Sequence, residues 1–114
     1  MLNQLLGAKP AVPEIVVATL AADRAAGKDI QIVDVREPNE WAAGHLPEAV
    51  LIPLGELGPR AGELDPARPV VVVCRSGNRS ATAADLLIRS GFRDVKNLAG
   101  GMVAWTQAVY RVVR

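Results

Sequence analysis

One short segment concentrates the residue types that could do covalent chemistry. Cys74 is the only cysteine in 114 residues and is followed by Arg75-Ser76-Gly77-Asn78-Arg79-Ser80. Gly77 permits a tight turn, and a helix is expected to begin where the loop ends. Amides at such a junction can converge on one atom, and the helix N-terminus adds partial positive charge. With Arg75 and Arg79 adjacent, the thiol is expected to have a lowered pKa and to rest as an exposed thiolate. A cysteine beside apolar residues can equally be a small buried hydrophobe. Two arginines and a glycine directly after it favour the nucleophile, since apolar packing needs none of them.

The charges along the chain agree. Net charge is only +1, with 13 basic and 12 acidic residues, so nothing drives broad nucleic-acid binding. Within it, Asp29 to Asp65 is net −6 and Arg75 to Lys96 is net +3. The surroundings of Cys74 therefore suit a small anionic substrate.

The elements that must position this loop follow from pattern. The run Val70 to Val73 is apolar on both faces, as the centre of a parallel sheet requires. Cys74 stands at its carboxyl end, where open α/β sheets bind ligands. A helix is expected over about Arg79 to Ser90, with Ala81, Ala84, Leu87 and Ile88 on its buried stripe. Gly91 suits the C′ position, with Phe92 packing back on Leu87. Asn78 and Ser80 read as N-caps, and Ser76 either presents its hydroxyl to the sulfur or faces solvent.

Further strands are expected at Ile30 to Val35, Val50 to Ile52 and Val95 to Leu98, with an edge strand within Ala11 to Ile15, where Pro13 is tolerated. Helices are expected over Val16 to Ala26, as a turn at Pro38 to Ala42, and after Gly100-Gly101; Leu54 to Leu64 reads as a turn or helix. Alternation of this kind implies one α/β domain with a mostly parallel five-stranded sheet and helices on both faces. The lone cysteine excludes an internal disulfide framework and a thiolate metal cluster in the monomer. No apolar stretch approaches the ~20 residues of a membrane span. Residues 1–10, MLNQLLGAKP, lack a basic n-region and read as an N-terminal extension, so the expected location is cytoplasmic.

Three segments then carry a resemblance across nearly the whole chain. Asp34-Val-Arg-Glu-Pro-Asn-Glu-Trp41 with Gly44-His-Leu-Pro47, then Cys74-Arg-Ser-Gly-Asn-Arg79, then Asn97-Leu-Ala-Gly-Gly-Met-Val-Ala-Trp105, resemble the three signatures of a single-domain rhodanese, a sulfurtransferase. One departure is Glu48, where the family usually has glycine after His-Leu-Pro. The resemblance implies a two-step transfer. The Cys74 thiolate takes the outer sulfur of thiosulfate or a persulfide, and the resulting persulfide yields it to cyanide, a thiol or a protein partner. Arg75 and Arg79 are the expected ligands of the donor's oxyanion, with Ser76, Gly77, Asn78 and Ser80 completing the substrate loop. No metal or organic cofactor is implied.

Other readings stay open. Cysteine phosphatases and arsenate reductases use Cys-x₅-Arg, one residue longer than Cys74 to Arg79, so this loop should hold a sulfur better than a phosphate. A sulfur-relay carrier would use the same persulfide with a protein acceptor, and in a binding module the cysteine would matter little. His45, the single histidine, is expected to fix a turn rather than act as a base. Asp34 and Arg36 are expected to pair and brace neighbouring loops. Trp41 and Trp105 read as core or lid aromatics.

Overall fold

The computed structural model describes residues 12–114; the extension read at residues 1–10 and Ala11 lie outside them. Five strands form one sheet: β1 (Glu14–Ile15), β2 (Gln31–Asp34), β3 (Val50–Leu51), β4 (Val70–Val73) and β5 (Val95–Leu98). Their order is β1-β5-β4-β2-β3, and each neighbouring pair is parallel. The helices are α1 (Val17–Ala25), α2 (Pro38–Ala42), α3 (Leu57–Arg60), α4 (Asn78–Arg89) and α5 (Gly101–Gln107). The expected α/β class and sheet are observed, and the edge strand is two residues long, starting just after Pro13. Leu54 to Glu63 resolves into α3 between two single 3₁₀ turns.

β4 sits at the centre, and its side chains alternate between two cores. Val70, Val72 and Cys74 join a cluster with Val33, Val35, Ala83, Ala84 and Leu87. Val71 and Val73 face the opposite layer, with Leu20, Leu98, Met102 and Trp105. The first layer is covered by α4 and the α3 segment, the second by α1 and α5. Cys74 therefore faces α4 because it shares the parity of Val70 and Val72.

The buried stripe of α4 differs from expectation. Ser80, Ala83, Ala84 and Leu87 are buried, whereas Ile88 is 39% exposed and Ala81 only half-buried. The stripe is rotated towards Ser80 because the hydroxyl finds buried partners near Cys74 and the helix packs small residues against β4. The C-terminus ends as its glycine suggests. Gly91 has φ +95, its N–H reaches the Ile88 carbonyl, and the Phe92 N–H bonds the Leu87 carbonyl.

At the carboxyl edge of β2, Asp34 and Arg36 share one face of the strand. The guanidinium of Arg36 donates from Nε and Nη2 to the Asp34 carboxylate at 2.7–3.0 Å, and to the carbonyls of Gly44 at 2.8 Å and Glu40 at 3.3 Å. Both residues are buried, at 0% and 5% exposure. His45 stacks on Trp41 with ring centroids 3.4 Å apart, and its Nδ1 lies 3.0 Å from the Trp41 carbonyl. Glu48, at the position where the resemblance calls for glycine, has φ +67, a region that costs a side-chain-bearing residue about 1–2 kcal/mol.

Breaking the Asp34–Arg36 pair would leave a buried carboxylate without a cation, a change that costs about 3–5 kcal/mol in comparable sites. Arg36→Leu is expected to lose stability of that order, read as a lowered urea midpoint with an unchanged slope.

Candidate active site

Cys74 directly follows β4, is 1% exposed and packs among core residues rather than standing exposed as expected from the sequence. The chain then turns through Gly77, whose φ of +110 makes it the N-cap of α4. No side chain caps this helix, which corrects the N-cap reading of Asn78 and Ser80. Asn78 is the first helical residue and is exposed. Ser80 is fully buried beneath the loop.

The sulfur is held from below and from the side. The Gly77 N–H points at Cys74 Sγ over 3.1 Å, and Ser80 Oγ lies 3.1 Å away. It is the hydroxyl of Ser80, not that of exposed Ser76, that meets the sulfur. Burial pushes the Cys74 thiol up, but the Ser80 hydroxyl and the amides of Ser80, Gly77 and Ser76 outweigh it, leaving the pKa below its ordinary value of 9.0.

Sequence reasoning gave Asn97 no role of its own, and the structure brings it to the centre. It is 2% exposed. Its Oδ1 accepts the Ser80 hydroxyl at 2.5 Å, and its Nδ2 donates to the Gly77 carbonyl at 3.0 Å and towards Glu14 Oε2 at 3.4 Å. The available signal was a polar residue in a strand at the parity of buried Val95.

A second helix end supports the loop. At the start of α5, the amides of Met102 and Val103 donate to the carbonyls of Cys74 at 2.9 Å and Arg75 at 3.0 Å. This approach requires glycine at position 101, because a Cβ there would stand 2.3 Å from the Cys74 carbonyl oxygen. Of the Gly-Gly pair of the third sequence segment, Gly101 serves backbone packing against the cysteine, whereas a Cβ on Gly100 would meet Ala104.

The two arginines part company. Arg79 is clamped by Glu40 of α2, its Nη1 and Nη2 donating at 2.6 and 2.8 Å. The Arg79 guanidinium, against desolvation, holds the Glu40 carboxyl down to about 2. The pair therefore persists as pH falls until that value is approached. Arg79 does not stand free for an oxyanion as the sequence suggested. Arg75 is exposed and makes no ion pair among the described residues. It borders a groove of about 450 Å³ with Met102, Val103, Val112 and Arg114.

This arrangement supplies a buried thiol at the carboxyl end of a central parallel strand, with backbone amides and the Ser80 hydroxyl turned to its sulfur and the exposed Arg75 next in the chain. A family model described as the rhodanese-like domain matches residues 17–108. The chain belongs to the rhodanese-like family.

It is 42% identical over 81 residues to a thiosulfate sulfurtransferase, GlpE, of Shewanella oneidensis, covering 71% of this chain and 80% of that one. It is 38% identical over 95 residues to a Bacillus subtilis protein named as a sulfur carrier, YrkF, covering 83% of this chain and 51% of that one. The chain thus spans about half the length of YrkF. The crystal structure of a rhodanese-related protein from Thermoplasma volcanium superposes with a TM-score of 0.81 at 32% identity, covering 89% of this chain and 97% of that one. No helix among the described residues of this rhodanese-like chain is long and apolar enough to cross a membrane.

The lowered thiol pKa has a measurable sign. Iodoacetamide alkylation of Cys74 should rise with pH through a midpoint below 9.0. The stabilisation contributed by the thiolate is present above the unfolded-state pKa and is lost as pH falls through the folded one. Stability relative to Cys74→Ser should therefore increase with pH across that window.

Proposed function

We propose that the protein is a sulfurtransferase of the rhodanese type that moves sulfane sulfur through a persulfide on Cys74. The observation that carries this reading is the cradle around one sulfur: Gly77 N–H and Ser80 Oγ at 3.1 Å, both from the start of α4, on a chain with a single cysteine. The Cys74 thiolate attacks the outer sulfur of thiosulfate. A new S–S bond forms at Sγ, the donor's S–S bond breaks, and sulfite leaves with the electron pair. An acceptor thiolate or cyanide then attacks the outer sulfur and restores the Cys74 thiolate. Neither displacement requires a general acid, because each leaving group is a stable anion.

In this reading the exposed Arg75 meets the donor's oxyanion, while Arg79, held by Glu40, positions the loop. Asp34 with Arg36, and His45 with Trp41, brace the segments beside it. One rhodanese domain accounts for the described residues, and a lone thiol with no disulfide partner suits a reducing compartment such as the cytoplasm. The relative named as a sulfur carrier supports a second reading, in which the persulfide passes to a protein partner rather than to a small thiol. A phosphatase is disfavoured by the shorter loop between Cys74 and Arg79.

Intact mass after incubation with thiosulfate, and separately with glutathione persulfide, tests the chemistry. The expected outcome is a gain of one sulfur, lost on adding cyanide or a thiol and absent from Cys74→Ser. Reduced, folded protein that gains no sulfur from either donor would defeat the small-molecule reading. The arginines are separable in the same assay: Arg75→Ala should raise the thiosulfate KM about tenfold, the worth of one charge-assisted hydrogen bond. Arg79→Ala should instead slow loading with little change in KM.

A further inference from the structure

The Ser80 hydroxyl has one proton and two claimants. Cys74 Sγ lies 3.1 Å on one side of Oγ and Asn97 Oδ1 2.5 Å on the other. The orientation of Asn97 is fixed by its amide nitrogen, which donates to the Gly77 carbonyl and faces Glu14. Oδ1 can therefore only accept, and among the described residues Ser80 is its one donor. All three residues are at most 2% exposed, so water does not readily replace a missing partner.

Consider what each state of the sulfur needs. With the hydroxyl proton on Asn97, Oγ turns a lone pair towards Sγ, which suits a thiol donating its S–H. A thiolate needs the reverse, a proton pointed at Sγ, and taking it leaves Asn97 Oδ1 buried without a donor. We propose that Asn97 is a positioning residue that competes with Cys74 for the Ser80 proton, which points at Sγ in the thiolate and at Asn97 Oδ1 in the thiol and in the persulfide. The inference rests on the sulfur-transfer reading of Cys74. When Sγ attacks the outer sulfur of thiosulfate and sulfite departs with the bonding pair, the negative charge moves to the new terminal sulfur. Sγ becomes a neutral bridging atom, and the Ser80 proton returns to Asn97. Asn97 thus raises the energy of the discharged thiolate while leaving the loaded form satisfied.

The charged groups around this cluster are Arg75 in the loop, Arg79 on α4 with Glu40 on α2, Glu14 on β1, and the Asp34–Arg36 pair at the end of β2. The start of α5 brings only neutral residues, Gly101 and Met102. The variants below leave all of these charges in place.

The two side chains should move the Cys74 pKa in opposite directions, read by ultraviolet thiolate absorbance and alkylation rate against pH. Ser80→Ala removes the donor and should raise the pKa by about one unit, a tenfold loss of thiolate at a fixed pH below it. Asn97→Ala frees the Ser80 proton for the sulfur and should lower the pKa. On the Ser80→Ala background, Asn97→Ala should change nothing. A merely structural role, in which losing the Asn97 bond to Gly77 slackens the loop, predicts a raised pKa for Asn97→Ala that persists in the double variant; that result would overturn the proposal.

Should Asn97→Ala not fold, the wild-type protein carries the test. The Asn97 side-chain carboxamide resonances should shift with the Cys74 titration and return when the protein is loaded with sulfur; resonances indifferent to both would overturn it. In thiosulfate–sulfite mixtures held above the Cys74 pKa of both proteins, Ser80→Ala should raise the ratio of persulfide to unloaded thiolate about tenfold. A protein that takes up no sulfur but keeps the predicted pKa order defeats the sulfur-transfer reading alone. One that loads normally with the pKa order reversed defeats this inference alone.

Discussion

The direction of every side chain at the site is set by the register of β4. Its four valines are buried on both faces, and they pair with β2 on one side and β5 on the other. A slip of one residue would exchange the two cores and turn Cys74 from α4 towards α5. Because both faces are packed, that slip would also disturb two layers of apolar contacts, so the register is strongly held. The same parity acts across the sheet: Asn97 pairs with Val72 and faces the α4 side, as Cys74 does. A sulfur and a carboxamide from adjacent strands thereby meet a serine from the helix that covers them both.

On that register two helix ends do different work. The N-terminal amides of α4 approach the sulfur itself, where an anion forms. Those of α5 occupy the carbonyls of Cys74 and Arg75, so that these oxygens are satisfied away from the nucleophile. The loop is thus held by its backbone, and the side chains of Ser76, Asn78 and Arg75 stay outside. Arg79, which sequence proximity would assign to the substrate, is drawn back by Glu40 and joins α4 to α2. α2 is in turn tied by the Arg36 guanidinium to the end of β2. Two arginines only four residues apart thus differ: Arg79 is paired with Glu40, and Arg75 is exposed.

The parts legible in the sequence are those governed by local rules. The valine run, the glycine that ends α4, the edge strand beside Pro13 and the pairing geometry of Asp34 with Arg36 all depend on residues a few positions apart. The order of the strands has no local signature. The stripe of α4 is not among the legible parts, because alanine and serine are similarly small and local pattern does not separate them. A stripe judged by hydrophobicity favours Ile88, whereas the structure buries Ser80, whose hydroxyl finds partners 6 and 17 residues away. The Arg79–Glu40 clamp spans 39 residues, and nothing in the spacing reveals it. The N-cap escapes local pattern for a related reason: Gly77 takes the position through its left-handed φ, not through a side chain.

Burial of the nucleophile has a consequence for the proposed sulfur transfer. Cys74 is 1% exposed, so its thiolate depends on internal donors, and there are few of them. In the proposed transfer, adding one sulfur extends the side chain by about 2 Å and moves the charge from the buried Sγ to the terminal sulfur. The loaded form is then both better solvated and easier for an acceptor to reach than the discharged one. Discharge must reverse this, returning charge to a buried atom whose strongest side-chain donor is shared with Asn97. A fold that hides the first sulfur and presents the second protects the thiol from adventitious oxidation. In the proposed transfer it would also leave the transferable sulfur farther from the core than Sγ, nearer the acceptor of the second step.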